Sequence, residues 1–193
     1  MGLPTLVVVS GGPGTGKTTL AHQLAGVLGC PAVIRDEIKQ GMVLATPGYR
    51  GGGDDPLNLP TVHAFFGVLR LLLEAGVTVV AEAAYQDRVW RPNLEPLTDL
   101  ADVRVVRCTV ESAVAHERIV QRVKEDHRAA HGDLDLLEAI ADGRHSLDAY
   151  VPIRMDLPTL IVDTTDDYRP VLADIADFAG RSAGNASGGC HTD

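Results

Sequence analysis

The sequence predicts an α/β protein of three layers, with a five-stranded, mainly parallel sheet covered by helices on both faces. Two observations predict it. Short β-branched runs alternate with longer segments of helical period, the rhythm of consecutive βαβ units. Each short run is also apolar at most positions, as a strand buried on both faces has to be.

In chain order, Leu6 to Val9 opens as a strand of consecutive aliphatic residues, and Lys17 to Leu28 follows as a helix. Ala32 to Ile34 is a second, shorter strand, followed by a helix over Asp36 to Leu44. Pro60 to Ala75 has the length and apolar spacing of a long covering helix, and Val77 to Ala81 returns as the third strand. A helix is expected over Pro92 to Leu100, where proline stands at a tolerated first position. Val103 to Cys108 is the fourth strand. Helices over Ser112 to His131 and Leu134 to His145, a fifth strand over Thr159 to Val162 and a helix over Arg169 to Gly180 complete the pattern.

Two stretches break it. Thr46 to Leu59 is rich in Gly, Pro and Asp and too long for a routine connection, so it is expected to face a substrate. From Arg181 the chain reads RSAGNASGGCHTD, with no period and little apolar content, and is expected to be a disordered tail behind one domain spanning 1–180.

The 193 residues are 45% hydrophobic and 22% charged, enough to bury one substantial core. A net charge of −9 argues against extended nucleic-acid contact, which needs Lys and Arg to neutralise a polyanion. Cys30, Cys108 and Cys190 are scattered, without metal-ligand spacing or a disulfide framework, which fits a reduced, cytoplasmic protein. No basic leader precedes the first strand and no apolar window is long enough for a membrane span.

Directly after the first strand, Gly11 to Thr18 reads GGPGTGKT, a full G-x-x-x-x-G-K-[ST] loop opening a helix. Such glycines let backbone N–H groups turn inward around phosphates, and the helix start adds its positive dipole end. Gly12, Pro13, Gly14, Thr15, Gly16, Lys17, Thr18 and Thr19 are therefore expected to bind ATP. Within this set Lys17 reaches the terminal phosphates and Thr18 ligates Mg²⁺. The guanine-reading N-K-x-D is absent, and there is no room for the second subdomain of a large mechanical ATPase. Both points favour a compact kinase.

Arg35-Asp36-Glu37 follows the second strand, at the carboxyl edge of a parallel sheet where ligands bind. Asp36 is the candidate base for a hydroxyl nucleophile; its alternative role is to cap the following helix. Glu82, at the end of the third strand, is the candidate Mg²⁺ carboxylate or a strand-end acid satisfied by backbone. Arg118 and Arg122 lie four apart in the basic segment 116–131. They form either a lid over transferring phosphates, with Arg128 as a third member, or a solvated helix face. His127 and His131 have metal-pair spacing but no third ligand. Tyr85 and Trp90 line a pocket or pack the core.

With SGGPGTGKTT, RDE, VVAEAAYQDRVW, RIVQR and LIVDTT in place, the chain resembles P-loop small-molecule kinases, particularly the chloramphenicol phosphotransferase-like group, over roughly residues 5 to 180. The resemblance implies a P-loop NTPase fold of nucleoside-monophosphate-kinase type, with Asp36 as general base and Glu82 where relatives often carry Asp. It also implies Arg118 and Arg122 as an Arg-x-x-x-Arg lid, and Val162-Asp163-Thr164-Thr165 near the adenine, with backbone from Thr164 to Arg169 contacting the base. Leu44 to Asn58 does not align with a chloramphenicol site. The implied activity is ATP-dependent phosphorylation of a hydroxyl on a small molecule, such as an antibiotic, including nucleoside types like capuramycin. The alternatives are a nucleoside or polynucleotide end kinase and a nucleotide-dependent regulatory switch.

Overall fold

The computed structural model describes residues 2–49, 55–124, 132–144 and 146–180. Strands β1 (Thr5–Ser10), β2 (Ala32–Ile34), β3 (Val79–Glu82), β4 (Asp102–Thr109) and β5 (Thr159–Asp163) form one sheet in the order β2-β3-β1-β4-β5. Every pairing is parallel. Helices α1 (Lys17–Leu28), α2 (Arg35–Leu44), α3 (Asn58–Glu74), α4 (Asp87–Leu94), α5 (Ser112–Val123), α6 (Asp133–Ala141) and α7 (Leu172–Gly180) complete the chain.

The period-two alternation of strands divides the core. Along β1, Leu6 and Val8 point into one cluster with Val62, Phe65 and Leu69 of α3 and with Trp90 and Leu94 of α4. Val7 and Val9 point into the other, against Leu20 and Leu24 of α1 and Ile175 and Ala179 of α7. All of β1 is buried, which explains why it reads as an unbroken aliphatic run. Tyr85 and Trp90 belong to the first cluster, with their ring centroids 5.2 Å apart, so both rings pack the core, while the buried Tyr85 hydroxyl has no hydrogen-bond partner there.

Several boundaries differ from expectation for local reasons. β3 ends on Glu82 rather than Ala81, because the carboxylate-bearing residue pairs with neighbours on both sides. The helix expected from Pro92 begins at Asp87 and carries Pro92 inside it, giving way to a 3-10 turn over Glu95–Leu97. Proline's lost donor falls in the last turn of a short helix, where little of the ladder remains to be broken. α7 starts at Leu172, since Arg169 pairs with Asp163 and Pro170 follows it. The helix expected to reach His131 is described as far as Val123. Arg128, His127, His131 and the tail from Arg181 lie outside the described residues. Among the described residues no helix is long and apolar enough to cross a membrane.

Candidate active site

The phosphate loop joins β1 to α1. Gly14 has φ 75°, and a Cβ there would come within 2.5 Å of the Ala115 carbonyl oxygen on α5, so only glycine fits this crossing. Gly16, also left-handed, immediately precedes α1, and no side chain caps that helix. Its first N–H groups are thus left to a ligand, at the positive end of the helix dipole. Inside the loop, the Thr15 hydroxyl and the Lys17 ammonium donate to the Gly12 carbonyl at 2.9 Å and 3.4 Å.

Sheet register assembles the charged groups. Glu82 lies opposite Val9, two residues before the loop, and opposite Ile34, two residues before Asp36. A single buried acid therefore stands between the phosphate loop and the candidate base. Thr18 donates its hydroxyl to Glu82 Oε2 at 2.9 Å, and Lys17 Nζ stands 3.9 Å from Oε1. Glu82 is 1% exposed and Oε1 accepts no hydrogen bond. Burial raises its carboxyl above the usual range, Lys17 opposes that, and the nearby Asp36 adds to it. An orphaned carboxylate oxygen beside a threonine hydroxyl is a hard oxygen donor pair that fits Mg²⁺ or its water shell. Among the described residues no group of His, Cys, Asp and Glu forms a metal cluster by itself. Such a site would accordingly depend on phosphate oxygens.

Asp36 sits in the first turn of α2 rather than capping it; the residue before that helix is Ile34, and no side chain caps it. Asp36 Oδ1 accepts from Arg35 Nη1 at 2.7 Å and the side chain is 29% exposed, so it remains reachable.

On the other side of the loop, Thr164 ties three elements together. Its hydroxyl donates to the Thr15 carbonyl at 2.8 Å and to the Thr109 carbonyl at 3.1 Å. Arg118 completes the brace. Nη1 donates to Gly14 O at 3.3 Å, and Nη2 to the carbonyls of Thr164 and Thr165 at 2.6 Å and 3.1 Å. Arg122 is held instead by Asp133 of α6 at 3.1 Å. A cavity of about 720 Å³ opens here, lined by Gly14, Gly16, Lys17, Thr18, Thr19, Arg118, Arg122, Thr164 and Tyr168, among others. That is the volume class of a nucleotide site.

The structure also shows residues that sequence reasoning passed over. Arg35 Nη2 donates to Asn58 at the start of α3, 2.9 Å away. Lys39 forms an ion pair with Asp55, whose other contacts are the Tyr49 hydroxyl at 2.7 Å and the Leu57 N–H at 2.9 Å. Burial would raise the Asp55 carboxyl, but these donors outweigh it and lower it to about 2. The only sequence signal was the four-residue spacing of Arg35 and Lys39, which does not reveal their partners. Leu147, in the 3-10 turn Leu147–Ala149, and Tyr150 lie beside Gly12 of the loop. The following segment is tied to α4 by Arg154 N–H donating to Asp87 Oδ1 at 2.7 Å.

The family model described as AAA domain matches residues 6–146. The uncharacterized protein Rv2004c of Mycobacterium tuberculosis is 29% identical over 126 residues, covering 61% of this chain and 25% of that protein. The chain thus spans about a quarter of the length of the curated relatives it matches. Among solved structures, a candidate kinase from Chloroflexus aurantiacus superimposes with a TM-score of 0.74 at 22% identity, over 91% of this chain and 96% of that one. The Mycobacterium tuberculosis APS kinase CysC, solved with AMPPNP and APS, gives a TM-score of 0.63 at 16% identity over 92% and 98%. At these identities the likeness is one of fold. The family match runs from β1 through the phosphate loop, Glu82 and α6, and on it the chain belongs to the AAA domain family AAA_33 with the fold of P-loop kinases.

Proposed function

We propose that the protein is an ATP-dependent O-phosphotransferase acting on the hydroxyl of a small molecule. The observation that carries this reading is the register that sets Glu82 between the phosphate loop and Asp36. A phosphoryl donor and a carboxylate able to take a hydroxyl proton then meet at one sheet edge, as in-line transfer needs. Thr18 and Glu82 would hold Mg²⁺, which would supply positive charge to offset that of the phosphates.

In this reading the loop N–H groups and Lys17 bind the phosphates, and Lys17 stabilises negative charge on the departing phosphoryl group. Asp36, steadied by Arg35, accepts the acceptor's proton. Arg118 shapes the base end of the cavity through its contacts to Gly14, Thr164 and Thr165, while Arg122 supplies a second cation near the phosphates. The first acceptors to try are hydroxylated natural products of the antibiotic kind, nucleoside antibiotics among them.

The test is mass spectrometry of such a panel after incubation with ATP and Mg²⁺. A gain of one phosphoryl group on a panel member is expected, and Asp36→Asn should lower the rate by about a hundredfold or more while leaving nucleotide affinity nearly unchanged. Transfer at the wild-type rate by Asp36→Asn would remove the proposed base.

A further inference from the structure

Among the described residues, Arg35, Arg104, Arg107 and Arg122 each bury an Nε that has no hydrogen-bond partner. Three of these arginines are held through their other nitrogens: Arg35 by Asp36 and Asn58, Arg104 by Asp102 and the Phe178 carbonyl, and Arg122 by Asp133. Arg107 is not. Although partly buried, it makes no hydrogen bond and no ion pair with any described residue. A guanidinium stays charged and only donates, so a covered nitrogen without an acceptor carries a cost that a ligand can remove.

Strand alternation says where Arg107 stands. Val103 and Val105 enter the core cluster under α3 and α4, while Val106 and Cys108 enter the one under α1. Arg107 therefore lies on the α3 face, opposite Ser10, which follows Leu6 and Val8 on the same side of β1. Ile38 packs on that cluster too, so the helix carrying Asp36 covers the same face. Lys17, Thr18 and Glu82, which serve the nucleotide, meet instead at the start of α1. That leaves Arg107 to the acceptor.

Tyr150 adds a second donor at this end. Its Cβ is 3.6 Å from where a Gly12 side chain would begin, and its hydroxyl is buried without a hydrogen-bond partner. Ser10 approaches that hydroxyl without completing a bond, and the Arg107 charge acts on it as well, favouring its ionised form against a larger opposing effect of burial. A ligand that satisfies both groups has to bring acceptor oxygens, and those of an anion suit a guanidinium best. β2, which leads to Asp36, and β4 are three strand steps apart, about 14 Å. The anion and the reacting hydroxyl thus belong at opposite ends of the acceptor.

We propose that Arg107 and Tyr150 form a subsite for a phosphate, sulfate or carboxylate group carried by the acceptor, remote from the hydroxyl that is phosphorylated. This deepens the phosphotransferase reading and rests on it for the identity of the face as an acceptor site.

The anion subsite and its use by an acceptor are tested separately. The first test is calorimetric titration of phenyl phosphate, as a probe anion, into the full chain saturated with Mg²⁺ and AMPPNP, so that the phosphate loop is filled. Saturable binding is expected with a Kd of about 1–10 mM. Arg107→Met should weaken it by about tenfold or more, and the isosteric Tyr150→Phe by about threefold. AMPPNP affinity, measured alone, should change by less than about threefold in either variant. The proposal is overturned by a wild type that shows no saturable binding up to about 50 mM, by variants that bind the probe undiminished, or by an equal loss for AMPPNP, which would assign Arg107 to the nucleotide. Tyr150→Phe keeps the test decisive if Arg107→Met does not fold. The second test is kcat/KM with matched acceptors, a nucleoside against its 5′-monophosphate and glucose against gluconate. The anionic member of a pair should be favoured by about tenfold or more, and Arg107→Met should erase the preference; preference for the uncharged member overturns the proposal. If no member of any pair is phosphorylated, the phosphotransferase reading fails for these acceptors, and the titration still decides whether the subsite exists.

Discussion

The two halves of the site are built from different materials. The nucleotide half is mostly backbone: left-handed glycines, the uncapped start of α1, and carbonyls of Gly14, Thr164 and Thr165 gathered by one guanidinium. The half proposed to receive the acceptor is mostly side chain: Arg35, Asp36, Lys39, Asp55, Tyr49 and Asn58 make contacts across α2, α3 and the chain between them. A backbone cradle binds what all its ligands share, the phosphates, and tolerates little change. A side-chain face can be rewritten one residue at a time, which is how one fold takes many acceptors.

That contrast can be broken by experiment. The largest effect should come from Lys17→Ala, which removes the ammonium that the proposed mechanism places on the phosphates. It is expected to lower kcat/KM by about a hundred- to a thousandfold and to weaken AMPPNP binding, with circular dichroism unchanged. Wild-type transfer would mean that the cradle acts by backbone alone. Gly14→Ala tests the backbone itself. Forced into a left-handed conformation against the Ala115 carbonyl, it should cost about 1–3 kcal/mol in urea unfolding and sharply reduce nucleotide binding.

Glu82→Gln should separate stability from function. The carboxyl is raised in the folded state, so its charged form costs free energy above the ordinary glutamate pKa. The nucleotide-free variant should accordingly gain about 1 kcal/mol at neutral pH, lose that advantage in acid, and transfer phosphate poorly at any Mg²⁺ concentration. A variant no more stable than wild type at neutral pH would show that Lys17 and Thr18 already offset the burial.

The smallest effect belongs to the acceptor half. With the Asp55 carboxyl lowered to about 2, its pairing stabilises the fold fully above the unfolded value and is lost as pH falls toward 2. The melting difference between wild type and Asp55→Asn, worth about 1 kcal/mol, should therefore be constant above roughly pH 5 and vanish near pH 2. A difference that persists at pH 2 would point to packing instead of charge.

The same division explains what could be read from the chain alone. β1 and α1 were legible because burial on both faces and the glycine spacing leave a direct imprint, and α1 spans the predicted Lys17–Leu28. Thr18 was legible from the loop motif and Glu82 and Asp36 from the ends of strands, and the sheet register brings them to one edge. The roles within the brace were not. Arg118 spends its donors on carbonyls of Gly14, Thr164 and Thr165, and carbonyls carry no side-chain signal. Lys39 and Asp55 were invisible for a related reason. Each is an ordinary surface-type residue until a partner sixteen positions away covers it. Pro92 misled because a proline opening a helix and one tolerated in its last turn look alike in sequence.

The brace at Thr164 also bears on how the molecule comes into being. Residues 6–146 cover the family match, yet the hydroxyl that joins Thr15 to Thr109 comes from the segment after β5, far later in the chain. β3 meanwhile has to slot between two strands synthesised before it. The phosphate loop precedes both partners in the chain and waits for both events, since contacts of such long sequence separation form late. A nascent or truncated chain ending before Thr164 holds every residue of the loop and still lacks its far wall. The far wall of the phosphate loop is thus a product of the closed sheet, and the motif by itself does not supply it.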